Sequence, residues 1–190
     1  MNNMENIIQS IHKITTISNS SIEELTENFT KHELPKKHLL IESKKFDPNY
    51  YFIEQGISRS FVLKEGKEVT HWFSKEGDIT FAMHNTYNNL PAMENVELLE
   101  ACILYSIPIK TLNELYTRNI EIANWGRILH QYAYQTMQLH HLSRLYDSAR
   151  VRYENLIKEQ PDLFQRVNLG YIASYLGITQ VMLSNLRAGK

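Results

Sequence analysis

The sequence predicts an α+β protein: an N-terminal antiparallel β-roll of the jelly-roll type, then a long helix, then a C-terminal pair of short helices. Three observations carry this prediction. Short aromatic and β-branched segments alternate with turns from about residue 38 to residue 107. Apolar residues then recur three and four apart over residues 119–146, and residues 166–187 contain two capped helical segments. With 190 residues and 43% hydrophobic content, the chain can bury a normal core.

The N-terminal half predicts helices followed by strands. Residues 3–29 indicate one or two short helices, with Asn19, Ser20 or Ser21 as a cap before IEELTENF. The predicted strands are YYFIEQG, ISRSFVL, EVTHWFS, DITFAM, NVELLEA and ILYSIPI. The turns between them contain Gly56, Glu65-Gly66, Glu76-Gly77 and residues 88–91. Regular spacing of short strands and turns favours a small antiparallel barrel or jelly roll.

A long helix is predicted from about Asn119 to Tyr146. Its apolar positions alternate by three and four, which is the pattern of a seam that needs a partner helix. The pattern runs over more than three heptads, longer than a small barrel covers, so a coiled coil of two chains is favoured over a helix on its own sheet. The predicted dimer interface is Ile122, Trp125, Leu129, Tyr132, Thr136 and Leu139, with Ser143 and Tyr146 continuing the seam.

The segment RVNLGYIASYLGITQVMLSNLR predicts two short helices joined by a tight turn. Asn168 and Thr179 can cap the two helices, and Gly177 lies where the turn needs a positive φ. The residues expected to be buried are Ile172, Leu176, Ile178, Leu183 and Leu186. This helix-turn-helix pattern is typical of a unit that places its second helix in the DNA major groove, whereas the alternative is an amphipathic hairpin packed on another domain.

The outer face of the second short helix is the predicted DNA-binding surface. The residues expected there are Thr179, Gln180, Val181, Ser184, Asn185, Arg187 and Lys190. Gln and Asn can pair with adenine and Val with a thymine methyl, so half-sites containing A·T pairs are favoured. Because the sequence has only three residues after Arg187, few phosphate contacts are expected. The net charge of −1 argues against a globally basic nucleic-acid coat.

Two blocks of the sequence carry a family resemblance. They are YFIEQGISRSFVLKEGKEVTHWFSKEGD and SARVRYENLIKEQPDLFQRVNLGYIASYLGIT, in this order and with the long helix between them. Together they resemble the cAMP receptor protein/Fnr (Crp/Fnr) family of bacterial regulators, most closely its Bacteroidetes-type members, over nearly the whole chain. The resemblance implies three regions: residues 1–110 as a cyclic-nucleotide-binding-like sensor, 111–146 as a dimerisation helix and 147–190 as a DNA-binding domain.

The same resemblance implies the partners of the protein. They are a second copy of the chain, a palindromic DNA operator, RNA polymerase and a small-molecule effector, all met in the cytoplasm. A single cysteine, Cys102, fits a reducing compartment. No apolar run is long enough to span a membrane, so no membrane partner is expected.

The sequence departs from the cAMP-binding members at the nucleotide site. Their glycine-glutamate and arginine-serine pairs, which hold the ribose and the phosphate, correspond to Phe81-Ala82 and Ala92-Met93. No Lys or Arg lies between Lys75 and Lys110, and a buried phosphate without a cationic partner is costly. We therefore expect neither cAMP nor cGMP to bind. An apolar or neutral effector is expected near Phe81, Ala82, Met83, Ala92, Met93, Tyr132 and Met137, and the alternative is a ligand-free β-roll.

Two further functions are carried as alternatives. One is a β-roll binding module with degenerate DNA recognition that acts through protein contacts. The other is a cupin-like metalloenzyme, but His71 stands alone in its strand, and His140 and His141 point about 100° apart on a helix. Cys102 lies in an apolar strand, where a thiol is inert. We expect no enzymatic activity, no metal and no cofactor.

Overall fold

A computed structural model describes residues 4–189 of the chain. The strands are β1 (Thr30–Leu34), β2 (Leu39–Ile41), β3 (Asn49–Gln55), β4 (Ser58–Lys64), β5 (Lys67–Ser74), β6 (Ile79–Phe81), β7 (Asn95–Leu98) and β8 (Cys102–Pro108). The helices are α1 (Glu5–Ile14), α2 (Asn19–Thr26), α3 (Met83–Asn88), α4 (Ile109–Arg118), α5 (Ile120–Tyr146), α6 (Ala149–Glu159), α7 (Leu163–Arg166), α8 (Leu169–Leu176) and α9 (Gln180–Arg187).

The strands form two four-stranded antiparallel sheets, in the orders β1-β8-β3-β6 and β2-β7-β4-β5. In the first sheet β3 pairs with β8, and Tyr50 lies opposite Ile107. In the second sheet β4 and β5 are joined by the two-residue turn Glu65-Gly66, whose φ angles of 53° and 76° suit a tight hairpin. The antiparallel β-roll predicted from the spacing of strands and turns is confirmed.

Two glycines lie where the backbone approaches a side chain so closely that a Cβ would force a neighbouring group to move. Gly56, in the turn after β3, has a φ of 107°, and a Cβ there would lie 2.3 Å from Cys102 Sγ. Gly126 of α5 faces the ring of Tyr116 on α4, and a Cβ there would lie 2.5 Å from the Tyr116 hydroxyl oxygen. The second glycine therefore lets α4 and α5 pack closely together.

The main hydrophobic core lies between the first sheet and the helices α1, α2, α4 and the first half of α5. Phe52 of β3 stacks on Trp125 of α5, with 6.0 Å between the ring centroids. The buried Glu54 carboxylate accepts hydrogen bonds from the backbone N–H groups of Asn6 and Ile7, at 3.2 and 3.1 Å. It thereby satisfies free donors at the start of α1 and holds that helix on the roll.

The first half of α5 belongs to the core of its own chain, contrary to the predicted dimer seam. Ile122 and Trp125 are 0% and 1% exposed, and Leu129 packs partly against the same cluster. The physical reason is that α1, α2 and α4 also pack on the helix, so that its own chain covers more turns of it than the length argument allowed. The remaining predicted interface residues, Tyr132, Thr136 and Leu139, are exposed.

The C-terminal helices build a second core together with the β-roll. Ser148, Asn168 and Thr179 cap α6, α8 and α9 with their side chains, and Gly177 has a φ of 68° in the turn before α9. The buried members of this core are Leu156, Leu163, Val167, Ile172, Ala173, Leu176 and Leu183, with Ile57, Phe73 and Leu99 of the roll. Ile178 and Leu186, which were expected to be buried, are only partly so.

Three local features differ from the sequence predictions. The strand region begins with β1 at Thr30, before residue 38, and the cap of α2 is Ser18, whose side chain accepts from the Ser21 N–H. The strand predicted through Met83 ends at Phe81, and α3 follows it. Among residues 4–189, none of the helices combines the length and apolar character needed to cross a bilayer.

Candidate functional site

The outer face of α9 carries the side chains predicted to contact DNA. Thr179 accepts a hydrogen bond from the Met182 N–H at 3.1 Å and so fixes the start of the helix. Leu183 anchors the inner face with no exposed surface, while Val181 is 72% exposed. The other exposed side chains of this face are Gln180, Ser184, Asn185 and Arg187. Lys190, the last predicted DNA contact, lies outside the described residues.

The side chain of Ser174 joins α8 to the edge strand β5. Its hydroxyl accepts from the Thr70 N–H at 3.0 Å and donates to the Glu68 carbonyl oxygen at 3.2 Å. The hydroxyl thus satisfies backbone groups that an edge strand otherwise leaves open. Sequence analysis missed this contact, because it joins residues about a hundred positions apart and no local pattern marks it.

A buried arginine makes the second contact between α8 and the roll. Arg59 of β4 is 1% exposed, and its guanidinium lies 3.6 Å from the centre of the Tyr171 ring. Glu68 and Glu97 accept from the guanidinium at 2.7 and 2.8 Å, which neutralises its charge. The ring of Tyr171 adds a cation–π contact to the two carboxylate partners, and this contact connects α8 to the roll.

A third contact between the C-terminal helices and the β-roll is an ion-pair cluster around Arg166 of α7. Its guanidinium donates to Glu76 at 2.7 Å and also to Glu100, and both carboxylates belong to turns of the β-roll. Burial acts to raise the pKa of Glu76, but the hydrogen bonds from Arg166 and the Gly56 N–H outweigh it and hold that pKa below its ordinary value. The charged form of Glu76 therefore favours the docked position of α7.

Two of the four positions that the resemblance gives to nucleotide-binding residues are buried in the core. Ala82 and Ala92 are 0% and 2% exposed and pack with Tyr51 and other core residues. The Phe81 ring packs on Tyr50 with 4.6 Å between centroids. These two alanines therefore belong to the core and do not line an open pocket, contrary to prediction. The small side chains let the loop close on the sheet.

A carboxylate lies where a phosphate would need donors. Glu94 accepts a hydrogen bond from the Met83 N–H, at the start of α3, at 3.0 Å. Since the segment from residue 76 to residue 109 contains no Lys or Arg, an incoming phosphate would meet this negative charge without a Lys or Arg from the loop. The local charge therefore opposes a cyclic nucleotide at this position.

An open cavity of about 670 Å³ lies at the junction of the β-roll, the second half of α5 and the C-terminal helices. Three predicted effector residues, Phe81, Met83 and Met137, line it. Met93 and Tyr132 do not line it and are 63% and 54% exposed. The additional aromatic and charged lining residues are Trp72, Tyr175, Glu94, Arg144, Arg152 and Glu159. Sequence analysis missed this set because it comes from four distant segments.

The end of α8 forms one wall of this cavity and is held there by α5 and α6. The Tyr175 hydroxyl lies 2.8 Å from His140 Nδ1. Arg144 donates to the carbonyl oxygen of Tyr175, and Arg152 donates to that of Leu176 at 3.0 Å. Burial lowers the pKa of His140 and thereby favours the neutral imidazole. The cavity wall therefore includes the helix that precedes the turn and α9.

The second half of α5 presents an unpartnered apolar stripe in the described chain. We call the set Ile128, Tyr132, Gln135, Leu139, Leu142 and Tyr146 the α5 stripe. The spacing of this set is four, three, four, three, four, which is heptad spacing. Tyr146, Leu139 and Tyr132 are 82%, 58% and 54% exposed. This set shares Tyr132, Leu139 and Tyr146 with the predicted seam, whose first residues, Ile122 and Trp125, are buried in the core of the chain.

The histidines and the cysteine supply no further site in the described part of the chain. Within residues 4–189, no group of three or more His, Cys, Asp or Glu residues is placed to hold a metal ion. Cys102 is buried, and burial raises the pKa of its thiol to about 11, so the thiol form dominates at neutral pH. This environment gives Cys102 little nucleophilic character.

Comparison with known proteins identifies the β-roll. Residues 31–119 match the family model of the cyclic nucleotide-binding domain. Comparison with curated proteins gives no significant match. Among solved structures, the chain is similar to FixK2 from Bradyrhizobium japonicum, with a TM-score of 0.74 and 15% identity over 85% of this chain and 83% of that chain.

Two further solved structures share the fold over most of both chains. The c-di-GMP-responsive global regulator CLP from Xanthomonas campestris matches with a TM-score of 0.66 and 13% identity over 90% of this chain and 91% of that chain. A protein from Eubacterium rectale described as a Crp/Fnr-family transcriptional regulator matches with a TM-score of 0.66 and 12% identity, over 91% and 83%. At these identities the similarity shows a shared fold.

Proposed function

We propose that this chain is a homodimeric, sequence-specific DNA-binding transcription regulator of the Crp/Fnr type. Its β-roll would respond to a ligand other than cAMP or cGMP. The observation that carries the proposal is the exposed polar face of α9, which a capped turn holds on a fold shared with regulators of this type. No catalytic activity is proposed, and the cytoplasm and RNA polymerase are the location and the partner that such a role requires.

The side chains of α9 support base recognition in the major groove. Gln180 and Asn185 carry amides that can pair bidentately with adenine, and Val181 can contact a thymine methyl. Arg187, in the last turn of the helix, would contact a phosphate. Two such helices in a dimer would enter successive major grooves about 34 Å apart, so the operator is a palindrome with half-sites about one turn apart.

The α5 stripe supports the dimer. Exposed apolar side chains at heptad spacing on one helix are typical of a coiled-coil interface, and an isolated chain rarely leaves such a stripe in water. Tyr132 and Tyr146 supply the large aromatic surfaces that dominate such interfaces. Pairing of two α5 helices along this stripe would place the two C-terminal units at the same end of the dimer.

Selection from random-sequence DNA with the purified full chain tests the proposal. We expect enrichment of a palindrome containing A·T pairs. In mobility-shift titrations, Asn185→Ala should cost about 1–3 kcal/mol at one base position per half-site. Arg187→Ala should weaken all sequences alike and reduce the salt dependence. Asn113 is an exposed asparagine on α4, and Asn113→Ala is the matched control that should bind as the wild type does.

The alternative functions give different results in the same experiments. If selection enriches nothing and no sequence-dependent shift occurs at low salt, the regulator proposal is wrong, and a binding module acting through protein contacts takes its place. A stoichiometric metal in the purified protein would instead favour the cupin-like metalloenzyme.

A further inference from the structure

We infer that the cavity between the β-roll, α5 and the C-terminal helices binds a neutral, flat, largely aromatic small molecule that contacts α8 through Tyr175. This inference deepens the proposed function, and only its consequence for DNA binding rests on that function. We call this cavity the junction cavity. It comprises the lining residues on β4–β6, α5, α6 and α8 together with Met83, Glu94 and Asp147.

The size of the junction cavity suits a small molecule. Ligand pockets are typically about 300–1,000 Å³, and the junction cavity has about 670 Å³. Its walls come from three parts of the fold, so a ligand there would bridge the roll, the long helix and the C-terminal unit. The resemblance places two of the nucleotide-binding residues at Ala82 and Ala92, which are buried in the core and do not line the junction cavity.

The walls favour a flat apolar ligand. Trp72, Phe81 and Tyr175 present aromatic rings, and Trp72 lies 5.7 Å from the His140 ring. Met83 and Met137 are 42% and 45% exposed, so both present apolar side-chain surface to the open cavity. Thioether side chains adapt to irregular ligands and make favourable contacts with aromatic rings. This combination is typical of a site for an aromatic ring system.

The charges of the junction cavity argue against an anionic ligand, and the two arginines that line it, Arg144 and Arg152, oppose a cationic one. Arg144 and Arg152 donate to the main-chain carbonyls at the end of α8. Glu94 accepts from the Met83 N–H. Asp147 accepts from the Ser143 hydroxyl at 2.6 Å. An anion would have to compete with the α8 carbonyls for the arginines and would face three carboxylates, those of Glu94, Asp147 and Glu159.

Contact with Tyr175 links occupancy to α8. The Tyr175 ring lines the junction cavity, its hydroxyl bonds with His140, and its carbonyl accepts from Arg144. The same ring packs on Phe73 of the roll, 5.2 Å between centroids. A ligand that fills the space beside this ring would add contacts to α8 in its docked position. Occupancy should therefore slow hydrogen exchange of the α8 amides.

A fluorescence titration of the full-length protein tests the inference with a matched pair of probes. N-phenyl-1-naphthylamine is neutral, and 1-anilinonaphthalene-8-sulfonate has the same rings with a negative charge. We expect the neutral probe to bind at a single site per chain with a micromolar Kd and the sulfonate to bind at least about tenfold more weakly. Equal or tighter binding of the sulfonate would overturn the neutral ligand class.

Variants locate the probe. Met137→Trp and Met83→Trp fill the junction cavity from exposed positions and should each weaken the neutral probe by at least about tenfold. Met182→Trp is the matched control, because Met182 is 43% exposed on α9 and does not line the cavity, and it should leave binding unchanged. Circular dichroism checks that the variants fold. Unchanged binding in both cavity variants would overturn the inference.

Two further measurements distinguish a site within one chain from a site between two chains, and ligand binding from its coupling to α8. Tyr132 lies on the α5 stripe, is 54% exposed and does not line the cavity, so a probe held between two chains would lose its site in a monomeric Tyr132→Glu protein, and that loss would overturn the single-chain site. Unchanged hydrogen exchange in α8 on probe saturation would overturn the coupling. If the probe binds but DNA does not, the ligand site is supported and only the proposed function is contradicted. If DNA binds but the probe does not, only this inference is contradicted.

Discussion

The guanidinium of Arg59 lies 3.6 Å from the centre of the Tyr171 ring and thereby joins the β-roll to α8. Arg59 is 1% exposed, and its charge is compensated by the Glu68 and Glu97 carboxylates. The centre of the Phe61 ring is also only 4.2 Å away. Because this cation is removed from water, its attraction to the ring is not screened as it is in a surface pair.

Replacing Tyr171 with Leu should loosen α8 from the roll. The ring supplies a cation–π contact of about 0.5–2 kcal/mol, and we expect a loss of that order in the free energy of opening α8, measured by native-state hydrogen exchange. Tyr171→Phe keeps the ring and should retain most of the contact. An equal loss in both variants would assign the effect to the hydroxyl and contradict the cation–π assignment.

Charged substitutions in the α5 stripe should convert the dimer into monomers. Leu139→Glu combined with Leu142→Glu buries carboxylates in the proposed seam, which a coiled coil does not tolerate. Sedimentation at micromolar concentration should show a dimer for the wild type and a monomer for the variant. Tyr134→Glu is the control, since Tyr134 is 69% exposed and its sequence position places it well away from the stripe around the helix. A monomeric wild type would exclude the seam.

Trp125 should contribute to the folding of the β-roll and not to dimerisation. Truncation of a fully buried tryptophan costs about 3–5 kcal/mol, and Trp125 is 1% exposed against Phe52. Denaturant titration should show this loss in Trp125→Ala. If the variant instead retained wild-type stability and became monomeric, the core assignment of Trp125 would be wrong.

Calorimetry should detect no micromolar binding of cAMP or cGMP. The nucleotide position contains buried alanines and a loop without Lys or Arg, and Glu94 already bonds the Met83 N–H. Glu94→Gln removes the carboxylate but supplies no cation, so it should not bind either nucleotide. A micromolar Kd for either nucleotide with the wild-type protein would contradict this prediction.

Acid should weaken the packing around His140. Burial lowers the pKa of this imidazole, Glu159 acts to raise it and Arg144 acts to lower it. Because the net effect is a lower pKa in the folded state, the unfolded chain takes up the proton more readily than the folded one. Stability from this group is therefore complete above about pH 6.5 and decreases as the pH falls below that value. Unfolding titrations between pH 8 and pH 5 should show a smaller decrease in His140→Gln, while His141→Gln, at an exposed position, should behave as the wild type does. Identical slopes in all three proteins would exclude this role of His140.

Features set by local chemistry were predicted well. Asn168 and Thr179 cap their helices and Gly177 adopts a positive φ in the turn, as expected. These features were predictable because a cap or a tight turn depends only on a few consecutive residues. The strands around Gly56 and Glu65-Gly66 followed for the same reason. The helix α3 was missed because a short segment after a strand has no periodicity of its own.

The amino-acid sequence by itself determined the order of roll, long helix and capped helical pair, because periodicity, caps and turn residues act over short distances along the chain. Only the tertiary structure decided what each apolar face meets. The three-four pattern continues through Trp125 and Tyr132 alike, yet the sheet buries the first and leaves the second in water. The junction cavity likewise required folding, since Trp72, His140 and Tyr175 meet only when distant segments pack, and burial depends on that packing and not on spacing.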